Sequence, residues 1–168
     1  MLCISGGGDN TNAFIRLGNE KKLSDTTLKI CGYRFGHTPG VTEQMNAIEQ
    51  KFNDRIWVLR NLRRSGFTKT DLNQVYTSLI RPIFDYTAVV YHSLLSLDQK
   101  SHLERLQRRA LAVITGSQHT SYAGDMEMLG LESLESRRLS LVDTFIEKSL
   151  QHPTFGPKWF SIESTKPI

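Results

Sequence analysis

Cysteine is scarce. The chain has two in 168 residues, too few for a disulfide framework and suited to a reducing compartment. Cys3 and Cys31 also lack the paired spacing and neighbouring histidines of a zinc module. Long apolar runs are missing. The longest uncharged apolar stretch, Tyr86 to Leu97, falls far short of the ~20 residues that cross a bilayer, so no membrane partner is expected. No basic segment precedes Gly6-Gly7-Gly8, so no secretory leader is expected. An intracellular location follows, with nucleus and cytoplasm left open.

Chemical signatures are equally sparse. Ser5-Gly6-Gly7-Gly8-Asp9 lacks the Lys-Ser/Thr ending of a phosphate loop and reads as a hairpin loop. His37, His92, His102, His119 and His152 form no metal-binding pair. There is no G-x-S-x-G nucleophile elbow. No two carboxylates share a strand–turn context that would hold two metal ions. The residues by themselves point to a binding or structural module rather than an enzyme.

What is present is ordinary globular composition, 39% hydrophobic and 23% charged, which excludes disorder and low complexity. Charge is uneven along the chain. Residues 1–41 hold five Lys/Arg against three acids, residues 42–116 eleven against seven, and residues 117–168 five against seven. The central basic excess suits nucleic acid. It suits a plain solvated surface equally well.

Short apolar runs at Met1–Ile4 and Ala13–Leu17 read as strands, and Thr27–Phe35 as the clearest one, with Gly32 marking a bulge. Such a small sheet needs a partner surface. After Gly40 the period becomes helical. Met45, Ile48, Phe52, Ile56, Leu59 and Leu62 form one face of a long helix, widened by Trp57 and Val58 and ended by Gly66. A second helix starts at Thr68 with Asp71 as a capping-box partner and a face of Leu72, Val75, Tyr76 and Leu79. Pro82 predicts a kink or break, followed by a largely buried helical segment from Ile83 to Leu95. Ser96 and Gln99 cap a third helix, with a stripe of Leu103, Leu106, Ala110, Val113 and Ile114, stopped by Gly116. A short helix over Tyr122–Leu129 and a last one from Leu134 to Gln151, capped by Ser133, complete the pattern. Lys158-Trp159-Phe160 is expected to pack back and Ser161–Ile168 to fray. The fold class is therefore α+β and mainly α: a short N-terminal antiparallel β segment, then a bundle of four to five helices.

Several segments at ordered spacing carry a resemblance. They are Leu28-Lys29-Ile30-Cys31-Gly32-Tyr33-Arg34-Phe35; Phe52-x₄-Trp57-Val58-Leu59-Arg60-x-Leu62-x₃-Gly66-Phe67; and Val75-Tyr76-x₂-Leu79-Ile80-Arg81-Pro82-x₂-Asp85-Tyr86-x₂-Val89-Val90-Tyr91-His92. Two more follow: Leu103-Glu104-Arg105-Leu106-Gln107-Arg108-Arg109-Ala110-Leu111, and Leu129-Gly130-Leu131-x-Ser133-Leu134-x₂-Arg137-Arg138. Together they resemble the C-terminal palm-edge and thumb region of non-LTR (LINE-type) retrotransposon reverse transcriptases, over about residues 1–160. Cys31 departs from the leucine usual in that family.

The resemblance implies three parts: a palm-edge segment over residues 1–40, a thumb-like bundle over 41–116, and a helical extension and tail over 117–168. It implies a fragment of an RNA-directed DNA polymerase whose fingers and most of the palm lie elsewhere. The palm's Tyr/Phe-x-Asp-Asp motif does not occur in this sequence. No catalytic residue is therefore assigned, and the chain alone is expected to be inactive. Mg²⁺ would belong to the missing palm, since nucleotidyl transfer needs carboxylates around two ions. The implied partners are an RNA–DNA hybrid or other template–primer duplex, and the missing fingers and palm.

Residues follow from the same resemblance. Lys29, Gly32 and Tyr33 fall where the family's primer grip holds the growing strand. The plain alternative is a surface lysine beside a bulge. Arg60, Arg63, Arg64, Lys100, Arg105, Arg108 and Arg109 would follow duplex phosphates. The alternative is a solvated face with local pairs such as Glu104 to Arg108. Arg81-Pro82 with Asp85-Tyr86 reads as an architectural kink, with Asp85 pairing Arg81 one turn away. The competing function is a helical protein–protein interaction module without catalytic activity.

Overall fold

The computed structural model describes residues 3–4, 14–17, 20–23, 27–36, 41–119, 121–154 and 156. The glycine-rich loop and the Lys158–Ile168 tail lie outside them. The described chain is mainly helical and divides into two compact units, Met1–Ile48 and Glu49–Ile168.

In the first unit, β1 (Cys3–Ile4), β2 (Phe14–Leu17) and β3 (Glu20–Leu23) pair antiparallel in that order. β3 has no counterpart in the sequence expectation, because Glu20-Lys21-Lys22-Leu23 lacks an apolar alternation. β4 (Thr27–Ile30) and β5 (Tyr33–Gly36) form a separate hairpin. This corrects the single strand over 27–35. Cys31 and Gly32 both have positive φ, 46° and 80°, the requirement of a two-residue turn that matches strand twist. The glycine marks a hairpin turn rather than a bulge. The first residues of α1 (Thr42–Arg64) belong to this unit, where the Gln44 side chain accepts the Arg34 amide at 3.1 Å.

The second unit begins within α1. Leu62, Arg63, Gly66 and Phe67 close that helix: the Phe67 amide donates to the Leu62 carbonyl and the Gly66 amide to that of Arg63. Gly66 supplies the left-handed φ of 85° that this double closure demands. α2 (Lys69–Val75) starts with the Thr68/Asp71 capping box. It runs straight into a π turn (Tyr76–Ile80) and then α3 (Arg81–Asp85). The expected break at Pro82 is instead absorbed upstream. The Arg81 amide reaches back five residues to the Tyr76 carbonyl, and Pro82 sits in the first turn of α3, where a missing N–H costs little. Arg55 of α1 donates to the Leu79 carbonyl inside that wide turn.

Tyr86 and Thr87 break the helical run, and Thr87 adopts left-handed φ. A single-turn helix α4 (Ala88–Tyr91) and a 3₁₀ turn (His92–Leu94) follow. The segment Ile83–Leu95 is thus interrupted, and Tyr86, Val90 and Leu94 are exposed rather than buried. α5 (Leu97–Thr115) begins with the Ser96/Gln99 box. α6 (Tyr122–Leu129) and α7 (Leu134–Gln151) are capped by Ser121 and Ser133. With 69–85 counted as one run, the described residues hold six helices, one more than the upper expectation. α5 lies against α2, α6 and α7, while α7 also packs on α3 and α4.

The core of this unit is Phe52, Ile56 and Leu59 with Leu72, Tyr76, Ile80, Phe84, Leu103, Leu106, Ala110 and Ile114. Phe52 and Phe84 meet with ring centroids 5.9 Å apart at a 44° tilt, an arrangement aromatic pairs favour. Two further expectations are corrected here. Trp57 does not widen the buried stripe; it is 64% exposed. Asp85 pairs not with Arg81 but with Arg137, whose Nε lies 2.8 Å from both carboxylate oxygens. Among the described residues no helix is long and apolar enough to cross a membrane.

Candidate nucleic-acid interface

The residues of α1 and α5 meet in a simple order. Glu49 accepts from or pairs with His102, Asn53 accepts from Arg109, and Arg63 donates to the Val113 carbonyl. The sequence separations are 53, 56 and 50. A near-constant difference means the two helices run parallel and side by side; antiparallel neighbours would keep a constant sum. Their C-termini therefore finish together, each a negative dipole end. Arg60, Arg63 and Arg64 gather there, around an open groove of about 360 Å³ completed by Ala112, Val113 and Gly116.

The seven candidate phosphate contacts sort into two groups by geometry. Arg60 and Arg64 are exposed and make no hydrogen bond or ion pair to the described residues. Arg109 is exposed, with its guanidinium 5.3 Å from the Phe52 ring centroid and 3.2 Å from the Asn53 Oδ1. Arg105 is exposed one turn earlier, 3.3 Å from His102 Nδ1. These four border the α1–α5 seam.

The other three point elsewhere. Arg63 is committed to the Val113 carbonyl, one of the orphan acceptors at the end of α5. Its guanidinium fills the space that a side chain on Gly116 would need. Arg108 lies over the Tyr122 ring at 5.1 Å, toward α6. Lys100 pairs with Glu135 of α7 at 3.1 Å, and that hydrogen bond lowers the Glu135 pKa.

The expected Glu104–Arg108 pair is replaced by a longer-range one. Glu104 accepts from the Tyr122 hydroxyl and from the amides of Leu134, at 3.3 Å, and Glu135, at 2.8 Å. A carboxylate from α5 thus satisfies the free amides at the start of α7, where the dipole also favours it. Burial, together with that hydrogen bond, raises the Tyr122 pKa. Three residues further on, Gln107 donates to the Glu132 carbonyl at 2.9 Å. Arg138 is 1% exposed, and none of its guanidinium nitrogens has a hydrogen-bond partner among the described residues.

The primer-grip-like residues sit in the first unit. Lys29 is exposed on β4 and lies opposite Arg34 of β5 in the hairpin register. Like charges facing each other on one sheet face repel, which an anion would relieve. Gly32 occupies the turn, where its positive φ is needed. Tyr33 is buried, and burial raises its pKa. Its side chain is packed inside this unit.

No group of three or more His, Cys, Asp or Glu among the described residues is arranged to hold a metal ion. Comparison with known proteins gave no match: no family model, no curated protein and no solved structure matches this chain.

Proposed function

We propose that this chain is a palm-edge and thumb piece of a LINE-type reverse transcriptase that holds a template–primer duplex by its phosphates and does not itself extend it. One observation carries the reading. The parallel α1–α5 pair puts Arg60, Arg64, Arg105 and Arg109 along one seam, exposed to solvent. A row of cations on rigid helices suits a polyphosphate backbone recognised by shape. Support also comes from how the segments that carry the resemblance engage one another. Asp85 of one meets Arg137 of another, and Glu104 and Gln107 of a third tie down the loop before α7. Arg63, Arg108 and Lys100 are directed to other parts of the unit, and Arg105 and Arg109 are engaged along the seam itself by His102 and Asn53 but stay exposed, so the binding rests on these two with Arg60 and Arg64.

The test is equilibrium binding of an RNA–DNA hybrid at two salt concentrations. Each phosphate neutralised contributes about 0.9 to the slope of log affinity against log salt on B-form DNA. Arg109→Ala should flatten the slope by roughly one unit without altering sequence preference. Absence of binding at low salt sinks the reading.

A second reading has its own observation. Leu139, Ile146 and Leu150 form one exposed stripe on α7, with Phe145 exposed beside it. Such a stripe suits a protein surface, either the missing part of a parent polymerase or a separate partner. Salt-independent association of the chain with itself or with another protein, and no affinity for nucleic acid, would favour it.

A further inference from the structure

Trp57 is an indole left on the surface of an otherwise basic seam. Asn53, Trp57, Arg60 and Arg64 are spaced 4, 3 and 4 residues apart in α1 and all are exposed. That spacing lines them along a single stripe of the helix. Buried neighbours in α1, Phe52, Ile56 and Leu59, face the core, so the stripe is the rim facing solvent next to α5. Arg109 borders the same rim through its bond to Asn53. The acids nearby do not cancel this charge. Glu49, directed to His102 at 3.1 Å, and Asp54, a quarter turn away from the stripe by helical geometry, are two carboxylates against the guanidinium groups of Arg60, Arg64 and Arg109.

A large aromatic at 64% exposure loses the benefit of burial, and a basic setting gives it a specific use. Bases stack on aromatic faces whatever their identity, while flanking cations hold the phosphates on either side. From Trp57 to Arg64 is about 10 Å along the helix, so the two span more than one nucleotide. Double-stranded nucleic acid hides its base faces. We infer that Trp57 is a stacking platform for an unpaired base, with Arg60 and Arg64 on the adjoining phosphates, so that this end of the seam takes a single-stranded stretch running out of the duplex that Arg105 and Arg109 border. The inference rests on the nucleic-acid reading above and adds its contact residue and strand class.

The chain has a second tryptophan, Trp159, so Trp159→Phe makes Trp57 the sole indole reporter. The full chain in that background would be titrated with an oligothymidylate about a dozen nucleotides long, within the usual single-strand site range. The same chain would be titrated with a blunt RNA–DNA hybrid. The expected result is quenching of Trp57 emission by the single strand and little by the blunt duplex. Trp57→Ala should weaken single-strand binding roughly five- to hundredfold, as loss of one stacked base does, and leave the salt slope unchanged. Trp57→Phe should restore most of the affinity. Melting curves of both variants should match the parent, since the side chain is on the surface. Nucleic-acid binding with no quench, or with Trp57→Ala as tight as the parent, overturns the stacking role while leaving phosphate binding intact. No binding of either probe at low salt overturns both, and Trp57 then belongs to a protein contact.

Discussion

Arg137 of α7 grips Asp85 at the end of α3 in a forked arrangement, across 52 residues of sequence. A guanidinium on a carboxylate in this geometry fixes orientation as well as position. Asp85 also marks where the helical run 69–85 stops, so the pair sets where α7 lies relative to that stop. Both side chains are about one-quarter exposed or less, which leaves them partly screened. Removing either partner should destabilise the second unit by about 1–2 kcal/mol. Chemical denaturation of Arg137→Ala, Asp85→Ala and the double variant measures it. Strict additivity of the two losses would mean the pair has no coupling.

Glu104 should matter as a cap more than as a surface charge. Glu104→Gln weakens acceptance from the Leu134 and Glu135 amides and should cost about 1–2 kcal/mol. Hydrogen exchange should accelerate at those two amides before it does at the centre of α5. Uniform acceleration through the helix would show that the effect is global instead.

Gly116 and Arg63 form a coupled pair at the shared helix ends. Gly116 has φ of 60° and its Cα faces the Arg63 guanidinium. Gly116→Ala should therefore cost about 1–3 kcal/mol through backbone strain, plus the loss of the Arg63–Val113 bond. In an Arg63→Ala background the same substitution should cost less, because the displaced group is gone. Equal cost in both backgrounds would leave strain as the whole effect.

Acid should weaken the protein partly through His92. Burial lowers its pKa, helped by Arg138 and Lys100 and opposed by Glu135. The unfolded chain then binds a proton more readily than the folded one. His92 accordingly contributes stability above the ordinary histidine range near pH 6.5, and that contribution is lost as pH falls through the lowered folded value. His92→Gln should flatten the dependence of melting temperature on pH between about 5 and 7. An unchanged profile would rule His92 out as its source.

Much of the second unit was legible from local chemistry. Thr68, Ser96 and Ser133 mark helix starts because their caps act within three residues, and all three are observed. Gly66 ends a helix for the same local reason. The failures share a cause: they depend on neighbours distant in sequence. Trp57 matches the apolar pattern yet lies on the rim, because α5 covers only one side of α1 there. Asp85 has a cation at the right local spacing, but Arg137 offers a better fork. Of the basic residues, Arg63, Arg108 and Lys100 could not be told from Arg60, Arg64, Arg105 and Arg109 by helical position. What separates them is the end of α5, the ring of Tyr122 and the carboxylate of Glu135. At Cys31-Gly32 two left-handed residues turned an apparent strand back on itself.

The wide turn at Tyr76–Ile80 makes the length of this segment as important as its composition. Leu72, Tyr76, Ile80 and Phe84 are all buried at successive intervals of four. In a regular helix each such step overshoots a full turn by about 40°, and three steps would swing Phe84 well off the face that Leu72 occupies. Loosening the winding in the middle cancels that drift and lets four large side chains share one core. Deleting a single residue from this turn would tighten the winding again, rotate Phe84 away from Phe52 and bring the Pro82 ring against the preceding turn. The number of residues in this turn therefore decides the core contacts on both sides of it.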